Sequence, residues 1–133
     1  MPATLRATRP KTVLFVEDDK GLQASLSTVA SAQGWEARGC LSAEKALAVA
    51  AEFKPTVIFL DVFFPDGDGR AILAALRADE VLHDCQVVLM TGDWTRASRQ
   101  ASIDHEADDY LAKPFSLEEF VSCLDERYRQ ANL

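Results

Sequence analysis

The sequence contains few cysteines, and none of them forms a paired motif. Cys40, Cys85 and Cys123 are an odd number of thiols in a chain of 133 residues, and no two of them are separated by only two residues. This usage argues against a disulfide framework or a structural zinc site, and it fits a reducing, cytoplasmic location. We expect all three to be structural thiols, because free cysteine commonly packs as a small hydrophobic residue.

Long hydrophobic runs and an excess of positive charge are also missing. No apolar stretch approaches the roughly 20 residues that a membrane-spanning helix needs. The 14 Lys and Arg residues are outnumbered by 21 Asp and Glu residues, which gives a formal net charge of −7. Since an acidic chain is poorly suited to nucleic acid or to an anionic membrane, neither is expected as a partner.

The remaining composition is that of one ordinary globular domain. Hydrophobic residues make up 48% of the chain and charged residues 26%, and 133 residues are enough for a single core. The first residues carry Arg6 and Arg9 but no apolar segment follows them, so they resemble a solvated tail and not a signal peptide. We therefore expect a flexible tail over residues 1–10 and one domain over residues 11–130.

Short apolar runs alternate with amphipathic segments five times. The apolar runs do not alternate with polar residues, which is typical of strands that are buried on both faces of a parallel sheet. An α/β fold with a doubly wound sheet of five strands and five helices is therefore predicted. The predicted strands are Thr12–Val16, Trp35–Cys40, Thr56–Leu60, Gln86–Met90 and Asp109–Ala112, and a polar helix is predicted near Thr95–Ile103.

Helix boundaries are predicted from capping residues. Asp19, Ser42, Asp68 and Ser116 each precede a helical pattern and can accept hydrogen bonds from its first N–H groups. Glu119 lies three residues after Ser116, which is the spacing of a capping box. Gly34 is expected to end the first helix in a left-handed conformation, and residues 65–69 are expected to form a loop.

Acidic and polar residues follow four of the predicted strands. Glu17, Asp18 and Asp19 come after the first strand and Asp61 directly after the third, while Thr91 and Lys113 follow the fourth and fifth. Ligands of parallel sheets bind outside the carboxyl ends of the strands. Clustered carboxylates repel one another, and Mg²⁺, which prefers oxygen ligands and keeps several waters, relieves that repulsion. The pattern indicates a magnesium site at this edge.

These motifs resemble the receiver domain of two-component response regulators, the CheY-like family. The matching pieces are Val-Leu-Phe-Val-Glu17-Asp18-Asp19, Leu60-Asp61-Val-Phe-Phe-Pro65-Asp-Gly-Asp68-Gly69, Leu-Met-Thr91-Gly92 and Asp-Tyr110-Leu-Ala-Lys113-Pro114-Phe. The intervals from Asp18 to Asp61, from Asp61 to Thr91 and from Thr91 to Lys113 are 43, 30 and 22 residues, which agrees with that family. The resemblance covers residues 11–130.

The resemblance implies a flavodoxin-like fold with strand order 2-1-3-4-5 and a role for each matching residue. Asp61 is the expected phosphoacceptor, a carboxylate that forms an aspartyl phosphate. Glu17, Asp18, Asp61 and the backbone carbonyl of Phe63 are the expected Mg²⁺ ligands. The Thr91 hydroxyl and the Lys113 ammonium would contact the phosphoryl group. Thr91 and Tyr110 would form the conformational switch, and the Lys113–Pro114 bond would be cis.

The resemblance also implies partners and a mode of action. The chain would be a phosphoacceptor signalling domain and not an enzyme with a separate substrate. Its phosphodonor would be a sensor histidine kinase or a phosphotransfer protein, and its target a downstream output domain or protein. A homodimer through the predicted fourth and fifth helices is a further possibility that the resemblance suggests.

Two positions depart from the family pattern, and the sequence bears on two other functions. Phe63 stands where fast-cycling members often have a polar residue, and Glu106 stands where many relatives have Gly. A phosphorylation-independent interaction module is the alternative reading, although every site position holds a competent residue. A Mg²⁺-dependent phosphohydrolase would need an acid two residues after Asp61, where Phe63 stands. His83 and His105 are expected to be surface residues, and Trp94 either a reporter of the site or a surface contact.

Overall fold

A parallel sheet with helices on both faces forms the molecule. The computed structural model describes residues 8–92 and 106–133, and the predicted helix near residues 95–103, with Trp94 and His105, lies outside them. The described elements are β1 (Thr12–Val16), α1 (Lys20–Ala32), β2 (Glu36–Cys40), α2 (Ala46–Phe53), β3 (Val57–Asp61), β4 (Phe63–Phe64), β5 (Gly67–Asp68), α3 (Gly69–Ala78), β6 (Gln86–Thr91), β7 (Asp109–Ala112) and α4 (Leu117–Ala131).

Five strands make up the main sheet in the order β2-β1-β3-β6-β7, and all neighbouring pairs are parallel. This is the predicted order once the two short strands β4 and β5, which pair only with each other, are set aside. Every residue of the central strand β3 is buried, which explains why its sequence is a continuous apolar run that ends in Asp61. The described residues contain four of the five predicted helices.

Two hydrophobic layers cover the faces of the sheet. Leu14, Ile58 and Leu89 face α2 and α3, while Phe15 and Phe59 face α1 and α4. On the second face the ring centroids of Phe15, Phe59 and Phe120 lie 5.2 to 5.8 Å apart. Burying each such ring contributes about 1.5–3 kcal/mol, so this aromatic group fixes α4 against the sheet.

Most of the predicted helix boundaries are confirmed. The Asp19 carboxylate accepts a hydrogen bond from the Leu22 N–H at 3.0 Å, and Asp68 caps α3 in the same way. Ser116 and Glu119 form the full capping box at the start of α4. Gly34 follows α1 with a φ of +88°, in the left-handed region that glycine adopts without strain.

The prediction that Ser42 caps the second helix is wrong. Helix α2 begins at Ala46, and the preceding Lys45 makes no side-chain capping hydrogen bond. The Ser42 hydroxyl instead donates to Asp66, 2.9 Å away, and the Asp66 carboxylate accepts from the N–H groups of Ala43 and Glu44. An ionised carboxylate is the stronger acceptor, so it replaces the hydroxyl at these N–H groups.

The three cysteines are buried free thiols, as predicted. Burial raises the pKa of Cys85 to about 11 and that of Cys123 to about 12. Within the described part of the chain, none of the helices combines the length and apolarity needed to cross a membrane. His83 is exposed, in agreement with the prediction.

Candidate functional site

The carboxyl edge of the sheet brings three carboxylates together. Strands β1 and β3 are neighbours in register, so Glu17 and Asp18, which follow β1, lie beside Asp61 at the end of β3. One carboxylate oxygen from each of these residues lies within 4.8 Å of the others. Glu17 and Asp61 are buried, whereas Asp18 is exposed at the rim. A cation that entered from solvent would meet Asp18 first.

Lys113 supplies a positive charge inside this cluster. Its ammonium donates a hydrogen bond to Glu17 Oε1 at 2.5 Å and another to Asp61 Oδ2 at 3.0 Å. Lys113 follows β7, the strand at one edge of the sheet. Its backbone N–H donates a hydrogen bond to the Thr91 carbonyl at 2.9 Å. The Lys113–Pro114 peptide bond is cis, as predicted.

The pKa values of Glu17 and Lys113 are both raised above their ordinary values. Burial raises the pKa of Glu17 even though the hydrogen bonds from Lys113 and from the Asp19 N–H lower it. Burial lowers the pKa of Lys113, but its hydrogen bonds to Glu17 and Asp61 outweigh burial and raise it above the ordinary value. One ammonium is therefore shared by neighbouring carboxylates, and a divalent cation would relieve the repulsion that remains.

Phe63 and Thr91 border the cluster. The Phe63 N–H donates to Asp61 Oδ1 at 3.3 Å, which places the start of the β4–β5 hairpin next to this carboxylate. Thr91 is the last residue of β6 and is buried, beside the end of β3. The resemblance implies a metal ligand at the Phe63 carbonyl and a phosphoryl contact at Thr91, and both residues lie at this edge of the sheet.

Tyr110 lies within β7, further than Thr91 and Lys113 from the carboxyl ends of the strands. It pairs in register with Leu89 and is partly buried against the layer that contains α2 and α3. Burial raises the pKa of its hydroxyl, and the nearby Asp108 and Asp109 add to this effect. The ring is therefore partly buried, between the core and the surface.

Several supporting residues were not identified from the sequence. The Gln23 amide donates to the Glu17 backbone carbonyl at 3.1 Å and packs against Gly39. The Arg70 guanidinium lies 5.7 Å from the centre of the Phe63 ring and pairs with Asp68. The contacts of Gln23 with Glu17 and of Arg70 with Phe63 join different elements, so local sequence patterns carry no signal for them, whereas Asp68 and Arg70 are only two residues apart.

Gly69 is the one supporting position with a local signal, because it ends the Pro-Asp-Gly-Asp-Gly segment. A Cβ atom at this residue would lie 2.0 Å from the carbonyl oxygen of Asp61. The backbone after the hairpin therefore approaches the Asp61 backbone so closely that only glycine fits without a shift. Glycine at the start of α3 is therefore required by its close approach to the Asp61 backbone.

The arrangement combines a buried carboxylate, a neighbouring ammonium and an acidic set of oxygen ligands. Asp61 has one oxygen bonded by Lys113 and the other by the Phe63 N–H, so its geometry is fixed from both sides. A fixed carboxylate beside a cation is suited to attack an electrophile whose oxygens carry negative charge. The oxygen-only donor set of Glu17, Asp18 and Asp61 fits Mg²⁺ better than softer metals.

Comparison with known proteins gives the same family as the motifs. The family model for the response regulator receiver domain matches residues 13–125. The transcriptional regulatory protein PrrA of Mycobacterium leprae is 36% identical over 110 residues, which cover 83% of this chain and 46% of that protein. The chain thus spans about half the length of the curated relatives it matches.

Solved structures agree in fold. A putative response regulator from Chloroflexus aurantiacus has a TM-score of 0.78 at 28% identity, with 91% of this chain and 99% of that chain covered. The receiver domain of the sensor histidine kinase PA1611 from Pseudomonas aeruginosa PAO1, solved with a magnesium ion in its active site cleft, has a TM-score of 0.81 at 22% identity, with 91% and 99% covered. The chain therefore belongs to the response regulator receiver domains of two-component systems.

Proposed function

We propose that this receiver domain accepts a phosphoryl group on Asp61, with Mg²⁺ bound at the carboxylate cluster. The observation that carries the proposal is the bridge that Lys113 makes between Asp61 and Glu17, at 3.0 and 2.5 Å. The bridge puts a positive charge beside the proposed nucleophile. Phosphoryl transfer between anions depends on positioning and charge neutralisation more than on covalent assistance.

The proposed transfer breaks one bond to phosphorus and forms another. An oxygen of the Asp61 carboxylate attacks the phosphorus atom, and the bond from phosphorus to the donor breaks at the same centre. The donor is a phosphorylated histidine of a sensor kinase or phosphotransfer protein, whose imidazole keeps the bonding pair and takes up a proton. Lys113 then neutralises part of the charge on the phosphoryl oxygens, because its ammonium already lies at Asp61.

Four residues would hold the metal. Glu17, Asp18 and Asp61 contribute carboxylate oxygens, and Phe63 contributes its backbone carbonyl. When bound, Mg²⁺ would supply further positive charge to neutralise the phosphoryl group. Glu17 is buried and its pKa is raised, so a bound divalent cation would stabilise its ionised form.

The signal would leave the site through Thr91 and Tyr110. A phosphoryl group on Asp61 attracts the Thr91 hydroxyl, since Thr91 is buried at the end of the neighbouring strand. The inward movement of Thr91 makes room for the ring of Tyr110, which is partly buried two strand positions before the end of β7. Such a ring with two positions is a bistable element that phosphorylation biases.

The partners follow from this role and from the relatives. A kinase or phosphotransfer protein would donate the phosphoryl group, and an output domain or protein would read the changed surface. The predicted helix near Thr95–Ile103 and helix α4 would provide that surface and a homodimer contact. The receiver would extend over residues 11–130, and we propose a cytoplasmic location for it.

Labelling with acetyl phosphate tests the proposal. The parent protein is incubated with Mg²⁺ and acetyl phosphate, and acid-labile phosphate is measured. Asp61→Asn is expected to abolish labelling, and removal of Mg²⁺ to reduce it strongly. Asp125→Asn, at an exposed position on α4, is the matched control and should be labelled like the parent. Full labelling of Asp61→Asn would overturn the assignment, and an unlabelled parent would favour a phosphorylation-independent interaction module.

A further inference from the structure

The short β4–β5 hairpin begins two residues after the proposed phosphoacceptor and contains a proposed metal ligand. Phe63 pairs with Asp68 and Phe64 with Gly67, so Pro65 and Asp66 form its two-residue tip. An isolated two-stranded hairpin is marginally stable in water. The position of the Phe63 carbonyl therefore depends on what holds the hairpin.

One side of the hairpin is anchored to helix α3. The Asp68 carboxylate accepts from the Arg70 N–H at 2.8 Å and pairs with the Arg70 guanidinium at 2.6 Å. The Gly69 N–H donates to the Val62 carbonyl at 2.7 Å and closes the base of the hairpin. These contacts fix β5 and the base, but they do not reach the tip.

The tip is anchored by Asp66 to the turn before α2. Its carboxylate accepts from the Ser42 hydroxyl at 2.9 Å, from the Ala43 N–H at 3.3 Å and from the Glu44 N–H at 3.4 Å. The three donors are 22 to 24 residues away in sequence. Asp66 thus joins the tip of the hairpin to a second element of the fold, while Phe64 of β4 packs into the hydrophobic layer that contains α2 and α3.

Close backbone packing supports the same contact independently. A Cβ atom at Gly67 would lie 2.9 Å from the Cβ of Ala43, which is itself buried. The tip of the hairpin therefore lies directly against the turn, and the carboxylate of Asp66 holds it there. If the tip moves away from the turn, β4 loses its support on that side.

We propose that Asp66 is a positioning residue for the metal site, because its hydrogen bonds to the turn before α2 hold the hairpin that presents the Phe63 carbonyl. The inference rests on the proposed function, since it takes Phe63 as a Mg²⁺ ligand. Asp66 does not contact the metal or the phosphoryl group. It acts through the hairpin, as residues that orient metal ligands do in other sites.

The test compares Mg²⁺ affinity and stability in matched variants. Mg²⁺ binding is measured by calorimetry on the whole chain, and unfolding is followed in urea. Asp66→Ala removes all three hydrogen bonds and is expected to weaken Mg²⁺ binding about 10-fold, the low end of the effect of residues that orient metal ligands. Asp66→Asn keeps a carbonyl oxygen that can accept from the turn, so it should restore most of the affinity.

Asp79→Ala is the control. Asp79 also accepts two backbone hydrogen bonds, from Val81 at 2.8 Å and Leu82 at 3.0 Å, but it follows the far end of α3. We expect this variant to lose stability and keep the Mg²⁺ affinity of the parent. If Asp66→Ala is too unstable to measure, Ser42→Ala removes a single hydrogen bond and should give a smaller loss of affinity.

Two results would overturn the inference. One is a folded Asp66→Ala variant that binds Mg²⁺ like the parent, and the other is an equal loss of affinity in Asp79→Ala, which would indicate general destabilisation. Acetyl phosphate labelling of the parent in the same preparation separates this inference from the proposed function. A parent that is labelled on Asp61, together with an Asp66→Ala variant of unchanged Mg²⁺ affinity, overturns the role of Asp66 alone.

Discussion

Replacing Lys113 by methionine should destabilise the protein when Mg²⁺ is absent. The change keeps an unbranched side chain but removes the ammonium that bonds both Glu17 and Asp61. The two carboxylates then face each other without a compensating charge, and Glu17 is only 1% exposed. Their repulsion and desolvation act in the folded state and not in the unfolded chain, so the folded state loses stability.

The magnitude follows from how deeply the pair is buried. Removing one partner of a fully buried ion pair costs about 3–5 kcal/mol, because a buried charge is left unpaired. The side chain of Lys113 is 23% exposed and that of Asp61 10%, so water reaches part of the cluster. We therefore expect a loss of about 2–3 kcal/mol. For a domain of this size that lowers the melting temperature by about 8–12 °C.

Mg²⁺ should restore much of this loss. A ligand at 100 times its dissociation constant stabilises the folded state by about 2.7 kcal/mol. In the parent the metal and the Lys113 ammonium repel each other as like charges, but in Lys113→Met the metal has no such competitor. The variant is therefore expected to bind Mg²⁺ more tightly and to gain more stability from it than the parent does.

Thermal unfolding followed by circular dichroism, with and without Mg²⁺, measures both effects. Lys45→Met is the matched control, because Lys45 is exposed and precedes α2, away from the cluster. It should leave the melting temperature and its response to Mg²⁺ unchanged. The reasoning is refuted if Lys113→Met is as stable as the parent without metal, or if Mg²⁺ stabilises the two proteins equally.

Four further predictions concern residues next to Asp61 and the thiols. Gly69→Ala places a methyl group 2.0 Å from the Asp61 carbonyl oxygen, so a loss of about 1–3 kcal/mol is expected in urea unfolding. Phe63→Asn should speed the loss of phosphate from the labelled protein, because an amide can position an attacking water and a phenyl ring cannot; equal rates would show that the ring does not protect the phosphate. Cys85 and Cys123, with pKa values raised to about 11 and about 12, should resist iodoacetamide near pH 8 until urea unfolds the chain. Because these folded-state pKa values are raised, the stability that the thiols contribute is complete below their unfolded pKa of about 8.5 and is lost as pH rises toward 11–12, so urea midpoints should fall over that range.

The sheet and the positions of the acidic residues could be predicted because each depends on local pattern. The apolar run before Asp61 indicates a strand buried on both faces, and every residue of β3 is buried. The capping box of Ser116 and Glu119 is complete within four residues, so it too is visible in the sequence. Asp18 and Lys113 converge because parallel strands end at one edge, which follows from the strand pattern together with the strand order.

Contacts between separate elements could not be predicted in the same way. Ser42 has the residue type and position of an N-cap, but Asp66 comes from another loop and takes the N–H groups that Ser42 was expected to bind. The strands of the β4–β5 hairpin are two residues long, too short for a periodic signal. Lys54 ends α2 with a φ of 52°, although nothing in its residue type predicts a left-handed conformation.

The central claim is that Asp61 carries the phosphoryl group, and reduction of the labelled protein tests it most directly. Borohydride converts an aspartyl phosphate to homoserine, which peptide mass spectrometry locates to a single position. After incubation with acetyl phosphate and Mg²⁺, homoserine is expected at position 61 and at no other aspartate, and omission of Mg²⁺ should strongly reduce its yield. Homoserine at Asp18 or elsewhere in place of position 61, or an unmodified chain after incubation with Mg²⁺, would contradict the account.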